Sequence, residues 1–191
     1  ILFKKIAAPV FLRPGYEFGG NGQGKHASKE HWIRAWKRIH RTLRSEQVEN
    51  VAFVWNTLDA RDYMDYYPGD EYVDWVGLDG YNWGLTQSWS GWQEFDKAYF
   101  SSYKRMVALA PSKKFMIAEI NSTDVGGDKA EWYRRMLIND IPKNYPEIDA
   151  IFFFNENKSV SEGVNWTIDS DPEALKALQE GLSNPIYSSS L

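Results

Sequence analysis

Apolar residues along the chain come in five short runs, separated by longer segments with helical periodicity. The runs cover residues 8–13, 51–57, 72–81, 113–120 and 148–155. Apolar residues fill them almost continuously, without a regular alternation of apolar and polar positions. Strands of this kind are covered on both faces, which is typical of parallel sheets. We therefore predict a parallel sheet built from these five strands.

The segments between the runs predict four main helices, over residues 28–46, 91–110, 128–141 and 171–182. Ser28 and Asp171 are suitable N-cap residues, and proline follows the second cap at the first helical position. In the first helix Ala35, Ile39 and Leu43 share one face, which we expect to pack on the sheet. The alternation of strands and helices is typical of α/β proteins.

Two architectures fit this alternation: an open doubly wound sheet and part of a (β/α)8 barrel. In a barrel the chemistry lies at the carboxyl ends of the strands. Almost every predicted strand ends in groups that can hydrogen bond or stack: Arg13, Tyr16 and Glu17; Trp55 and Asn56; Asp79, Tyr81 and Trp83; Glu119 and Asn121; Asn155 and Glu156. This concentration indicates a cleft at one edge of the sheet.

Composition narrows the classes of function. The net charge of −4 and the absence of long Lys/Arg runs argue against a nucleic-acid surface. The chain has no cysteine for disulfides or thiolate metal sites, and its three histidines lack the spacing of a metal set. No apolar run approaches the roughly 20 residues of a membrane span. Aromatic residues make up 16% of the chain, and exposed rings commonly stack on sugars.

Glu119 and Glu17 are the sharpest candidates for catalysis. Glu119 directly follows the apolar residues 115–118, and a buried carboxylate is unfavourable unless it is paired or functional. An ion pair with Arg13 for stability alone is one explanation. The other is glycoside hydrolysis, in which one carboxylic acid protonates the leaving oxygen while a second carboxylate attacks the anomeric carbon or activates water. Arg13 and Tyr81 would then keep the nucleophile ionised.

The stretches LRPGYEF, VAFVWN, VDWVGLDGY, FMIAEI and NWTIDSDPEALKAL together resemble the later strands of a clan A retaining glycoside hydrolase. They are most similar to family 26, which holds β-mannanases, lichenase-type β-glucanases and β-1,3-xylanases. The resemblance covers nearly the whole chain. It implies that the five strands are strands four to eight of a (β/α)8 TIM barrel, and that residues 1–191 form a single, partial catalytic domain.

In this clan the acid/base ends strand four and the nucleophile ends strand seven, so the resemblance assigns these roles to Glu17 and Glu119. Tyr81 matches the family tyrosine that bonds the nucleophile, and Trp55 and Trp83 match cleft aromatics. Further substrate contacts are expected at the remaining strand ends and the following loops: Arg13, Tyr16, Asn56, Trp89 and Asn155. Tyr16 stands where the mannanases commonly have histidine, which leaves mannan specificity open.

The expected function is therefore a retaining endo-β-glycanase that hydrolyses mannan, β-glucan or xylan without a cofactor or metal. Retention predicts a separation of about 5–5.5 Å between the two carboxyl groups. A non-catalytic carbohydrate-binding remnant of such an enzyme and a doubly wound protein of other function are the alternatives. We expect polysaccharide as the partner, with neither nucleic acid nor membrane.

The length of the chain adds a further expectation. A full barrel takes about 250 residues, and the numbering of the strands omits the first three. The chain begins with Ile, and its first ten residues lack the pattern of a signal peptide. We expect a piece of a longer, secreted protein, which would form a homo-oligomer if it occurs as a half-barrel, since exposed sheet edges pair readily.

Overall fold

The computed structural model describes residues 2–16, 28–58 and 63–187. The chain divides into two compact units. The first unit combines Ile1–Asp79 with Ser102–Ala118, and the second combines Gly80–Ser101 with Glu119–Leu191. Each unit has its own buried aromatic side chains, and each is described by itself below.

The main sheet has five strands: β1 (Val10–Leu12), β2 (Val51–Thr57), β3 (Trp75–Asn82), β4 (Lys114–Ser122) and β5 (Ile148–Phe153). Their order in the sheet is the order in the sequence. β1 pairs with β2 and β2 with β3, both in parallel. A doubly wound sheet reverses its strand order at a switch point. The unreversed order is that of a (β/α)8 barrel, and the chain supplies five βα units of that fold.

The described helices are α1 (Lys29–Ser45), α2 (Phe95–Leu109), α3 (Lys129–Arg134), α4 (Ile141–Asn144) and α5 (Pro172–Leu182). Both predicted caps are confirmed, because Ser28 accepts a hydrogen bond from the His31 amide and Asp171 from the Glu173 amide. Within residues 2–16, 28–58 and 63–187, no helix is long and apolar enough to cross a membrane.

Several predicted boundaries were wrong. The third strand begins at Trp75 rather than at residue 72, because Asp70–Tyr72 form a 3-10 turn. The predicted helix over 128–141 consists of α3, a π-helical segment (Arg135–Asp140) and α4. A short antiparallel hairpin that was not predicted follows β5 and is formed by β6 (Asn157–Lys158) and β7 (Val164–Asn165).

In the first unit, α1 packs on β2 through rings. Trp36 lies 6.2 Å from Phe53 between ring centroids, and His40 lies 4.8 Å from the same ring. The predicted packing face of this helix was correct only at Leu43, since Ala35 and Ile39 are exposed. The buried face instead includes Trp36, because its ring carries more apolar area to remove from water.

In the second unit, the helices pack on each other and on β5. Gly181 of α5 lies against Leu137, and a Cβ at position 181 would come within 2.7 Å of the leucine side chain. The Tyr133 ring of α3 makes an edge contact with Phe153 of β5, at 6.0 Å. The second contact holds the last residue of β5, and the candidate substrate residue Asn155 follows two positions later.

Candidate active site

Glu119 and Tyr81 form the central contact of the second unit. Glu119 is half-buried on β4, whose neighbouring residues Ala118 and Ile120 are buried. The Tyr81 hydroxyl on β3 donates a hydrogen bond of 2.6 Å to Glu119 Oε2. Hydrogen bonds of this length to a carboxylate are among the strong ones in proteins. The bond fixes one carboxylate oxygen on a strand end that is not fully covered.

A run of aromatic rings extends from this contact towards solvent. The Tyr81 ring lies 4.8 Å from Trp166, which is 1% exposed. Trp166 lies edge-on to Trp83 at 4.9 Å, and Trp83 lies 5.4 Å from Trp89. Trp89 is 71% exposed. The run therefore begins at the candidate nucleophile and ends in a flat apolar surface open to a ligand.

Two polar side chains hold the segment that follows β7. Asn155 Oδ1 accepts a hydrogen bond of 3.0 Å from the Ile168 amide. The Lys129 ammonium donates to the Thr167 carbonyl at 2.7 Å and to Ser170 Oγ at 2.9 Å. Lys129 is 2% exposed, and its burial lowers the pKa of its side chain. Both side chains thus fix the loop next to Trp166.

Arg13 organises the strand ends of the first unit. Its guanidinium bonds both carboxylate oxygens of Asp79 at 3.0 Å, and it donates twice to Asn56 Oδ1. It also reaches the Ala118 carbonyl at 3.4 Å. Asp79 is 2% exposed, so the pair satisfies a buried carboxylate that would otherwise be costly.

Near the carboxyl end of β2, Trp55 and Asn56 lie in different surroundings. Asn56 is 4% exposed, and its Nδ2 has no hydrogen-bond partner among the described residues. The substrate contact expected of Asn56 stays a prediction. Trp55 is 0% exposed, and its ring meets Tyr67 edge-on at 5.2 Å. We therefore assign Trp55 to the core of the first unit rather than to a sugar-stacking surface.

The predicted acid/base Glu17 lies outside the described residues. Tyr16 before it is 49% exposed. Gly15 adopts a φ of +62°, a conformation that favours glycine, and a Cβ there would collide with the Trp32 ring. The turn therefore needs glycine at the point where the chain leaves β1.

Two residues of this region were not predicted from the sequence, Trp166 and Lys129. Trp166 follows β7 in a segment without regular periodicity, so no strand end indicated it. Lys129 begins a helix, where a lysine is usually exposed. No cluster of three or more His, Cys, Asp or Glu suited to a metal ion occurs in the part of the chain that the structure describes.

A protein-family model matches most of the chain. The model described as glycosyl hydrolase family 26 matches residues 3–166. Endoglucanase H of Acetivibrio thermocellus is 35% identical over 95% of this chain and 21% of its own length. Mannan endo-1,4-beta-mannosidase of Bacillus subtilis strain 168 is 27% identical over 82% of this chain and 41% of its own length. The chain thus spans less than half of either relative.

Solved structures share the fold. An endo-beta-1,4-mannanase double mutant of Cellulomonas fimi matches with a TM-score of 0.71 at 18% identity, over 93% of this chain and 41% of the other. A GH26 beta-mannanase from Bacteroides ovatus matches with a TM-score of 0.64 at 16% identity, over 95% of this chain and 52% of the other.

Proposed function

Because the chain belongs to glycosyl hydrolase family 26, we propose that residues 1–191 form a partial catalytic domain of a retaining endo-β-glycanase. One observation carries the proposal: Glu119 lies near the carboxyl end of β4 with one oxygen held by the Tyr81 hydroxyl at 2.6 Å. A carboxylate oriented in this way is suited to attack an anomeric carbon.

The proposed reaction is a double displacement. A Glu119 oxygen forms a bond to the anomeric carbon as the glycosidic C–O bond breaks, and the Glu17 carboxylic acid gives its proton to the departing oxygen. Water then attacks the glycosyl-enzyme, Glu17 takes the proton of that water, and the bond to Glu119 breaks. The two inversions give net retention. Neither step uses a metal or cofactor.

The described residues supply distinct groups for sugar binding. Trp89 is exposed and Trp83 half-buried, so their rings are the proposed stacking surfaces, and Asn56 is a proposed contact to a sugar hydroxyl. Asn155 is exposed beside the loop that it holds, and Tyr16 is exposed before the proposed acid. Arg13 acts in this proposal by fixing Asn56 and Asp79.

Relatives suggest the order in which substrates should be tested. The relative at 35% identity is an endoglucanase by name, and the Bacillus relative is a mannosidase at 27%. We therefore place β-glucan first, then mannan, then xylan. A polymeric substrate is met outside the cell, so we expect the full-length protein to be secreted.

Reducing-sugar release tests the proposal directly. The substrates are mixed-linkage β-glucan, carboxymethylcellulose, mannan and β-1,3- and β-1,4-xylan, and the variants are Glu17→Ala and Glu119→Ala. Activity on a substrate should fall by about 100-fold or more in both variants. Glu131→Ala, at an exposed position on α3, is the matched control and should retain activity.

Two results would contradict the proposal. Hydrolysis that survives Glu119→Ala would exclude the assigned nucleophile. Sugar binding without hydrolysis, unchanged in Glu119→Ala, would instead indicate a carbohydrate-binding remnant.

A further inference from the structure

The buried side-chain amide of Asn121 connects several residues of the second unit. Asn121 is 0% exposed. Its Nδ2 donates to the carbonyl of Phe154 at 2.7 Å and to the carbonyl of Trp166. Its Oδ1 accepts from the Tyr133 hydroxyl at 2.6 Å and from the Ser122 amide at 2.7 Å. The amide therefore uses both donors and two acceptor positions.

The two carbonyls belong to the residues whose rings flank Tyr81. The Trp166 ring lies 4.8 Å from the Tyr81 ring, and the Phe154 ring meets it edge-on at 5.8 Å. The hydroxyl of this tyrosine is the group that bonds Glu119. Asn121 thus fixes the backbone of two residues whose rings pack against the Tyr81 ring.

Each flanking residue has a second backbone anchor. The Phe154 amide donates to the Ile120 carbonyl at 3.0 Å, and the Trp166 amide donates to the Glu156 carbonyl at 3.0 Å. A residue that is held only through its backbone N–H can still change the orientation of its carbonyl. The additional hydrogen bond from Asn121 to each carbonyl restricts this movement. Truncation of the Asn121 side chain would therefore loosen both rings together.

Tyr133 fixes the orientation of the amide. Its hydroxyl donates to Oδ1, and burial raises the pKa of Tyr133, which keeps the hydroxyl protonated. With Oδ1 held by this donor and by the Ser122 amide, Nδ2 must face the two carbonyls. An amide rotated by half a turn would oppose carbonyl to carbonyl.

We propose that Asn121 is a positioning residue, which holds Phe154 and Trp166 so that the Tyr81 hydroxyl reaches Glu119. Its catalytic consequence rests on the proposed function. The hydrogen bond that it maintains is a property of the folded chain and is measurable without turnover.

The first test observes the hydrogen bond itself. The protein is labelled with carbon-13 at tyrosine Cζ and observed by NMR. The Tyr81 resonance is assigned by its absence in Tyr81→Phe. Glu119→Gln shows where this resonance lies when the hydrogen-bond acceptor is changed. Asn121→Ala should move the Tyr81 resonance, and Tyr133→Phe should move it less in the same direction. A Tyr81 resonance at the wild-type position in both folded variants would overturn the proposal.

The second test is a double-mutant cycle on hydrolysis. Asn121→Ala should lower kcat by about tenfold and leave KM within about twofold, because an oriented group is lost rather than a sugar contact. In a Tyr81→Phe background the same substitution should lower kcat by less than about twofold. A tenfold loss in both backgrounds would mean that Asn121 does not act through Tyr81.

Asn50→Ala is the matched control for loss of an anchoring amide. Asn50 Nδ2 donates to the carbonyls of Phe3, Ile6 and Ala8 in the first unit. This variant should lose stability and keep the wild-type kcat. If wild-type protein hydrolyses nothing, the proposed function fails, and the Tyr81 resonance still decides the role of Asn121.

Discussion

At the scale of single residues, β4 shows how a carboxylate is kept on a buried strand. Phe115, Met116, Ile117, Ala118 and Ile120 are each at most 4% exposed, whereas Glu119 between them is half-buried. The strand therefore leaves the carboxylate partly open to solvent, and the hydroxyl of Tyr81 satisfies one of its oxygens. A partly open, oriented carboxylate can receive a ligand, which a fully covered ion pair cannot.

Substitution of Trp89 tests the proposed stacking of a sugar on its exposed ring. Because its ring is 71% exposed, Trp89→Ala should change the free energy of unfolding little. Loss of a stacking face should raise KM by about two- to tenfold with kcat nearly unchanged. Initial rates over a range of substrate concentrations measure both constants. Ile186→Ala truncates another exposed apolar side chain and should leave KM unchanged. Equal changes of KM in the two variants would contradict the role of Trp89.

His40 predicts a pH dependence of stability. Burial against Phe53 and Tyr72 lowers the pKa of His40, assisted by Arg44 and opposed by Asp74. The unfolded chain therefore binds the proton more readily than the native one. The stabilising contribution is complete above the unfolded pKa of about 6.5 and is lost as the pH falls through the lower native pKa.

Urea unfolding of wild type and His40→Leu at a series of pH values from 8 to 5 measures this contribution. The free energy of unfolding of wild type should decline relative to that of His40→Leu as the pH falls. A difference between the two proteins that does not change with pH would show that His40 protonates equally in both states.

At the scale of elements, the sequence predicts the strands well and the connections poorly. Apolar runs such as VAFVWNT leave little choice, and β2 occupies this stretch. The hairpin of β6 and β7 has two residues in each strand, too few for a period to show. The π-helical segment has the same apolar spacing as an ordinary helix, so periodicity cannot reveal it.

The candidate site likewise contains some features that the sequence predicts and others that it does not. The strand ends place Tyr81 and Glu119 on neighbouring strands, and the structure shows their hydrogen bond. Trp166 and the bonds of Asn121 depend on how the chain folds back after β5, which local sequence does not determine. The catalytic role of Glu17 stays a prediction, since it lies outside the described residues.

Substitution of Lys129 tests how much its hydrogen bonds to the segment after β7 stabilise the fold. Lys129→Met keeps the volume of the stem and removes the two bonds to the segment after β7. The half-buried Thr167 carbonyl and Ser170 hydroxyl would lose a charged donor, so the free energy of unfolding should fall by about 1–3 kcal/mol. Lys176→Met, at an exposed position on α5, should change it little in the same urea titration. Equal values for both variants would show that the buried ammonium contributes nothing net.

At the scale of the whole molecule, the outer strands of the described sheet are β1 and β5. Each presents a large apolar side chain, Phe11 at 43% and Phe152 at 44% exposure. Outer strands with exposed apolar residues tend to pair with other chains. We therefore predict that this chain, prepared alone, forms homo-oligomers.

Light scattering over a range of protein concentrations measures this association. The mean mass should rise with concentration and fall in Phe152→Lys, because a charge on an outer strand opposes pairing. Ile138→Lys, at a similarly exposed position away from the strands, is the control. A constant monomer mass at every concentration would contradict the prediction.

The most direct measurement of the central claim is to trap the glycosyl-enzyme. An activated 2-deoxy-2-fluoro-β-glycoside of the sugar that the chain hydrolyses reacts with the nucleophile and leaves it slowly, so the label can be located by mass spectrometry of peptides. Double displacement at Glu119 predicts one sugar on the peptide that contains Glu119, and none in Glu119→Ala. A label on another carboxylate, or hydrolysis that inverts the anomeric centre without any label, would contradict it.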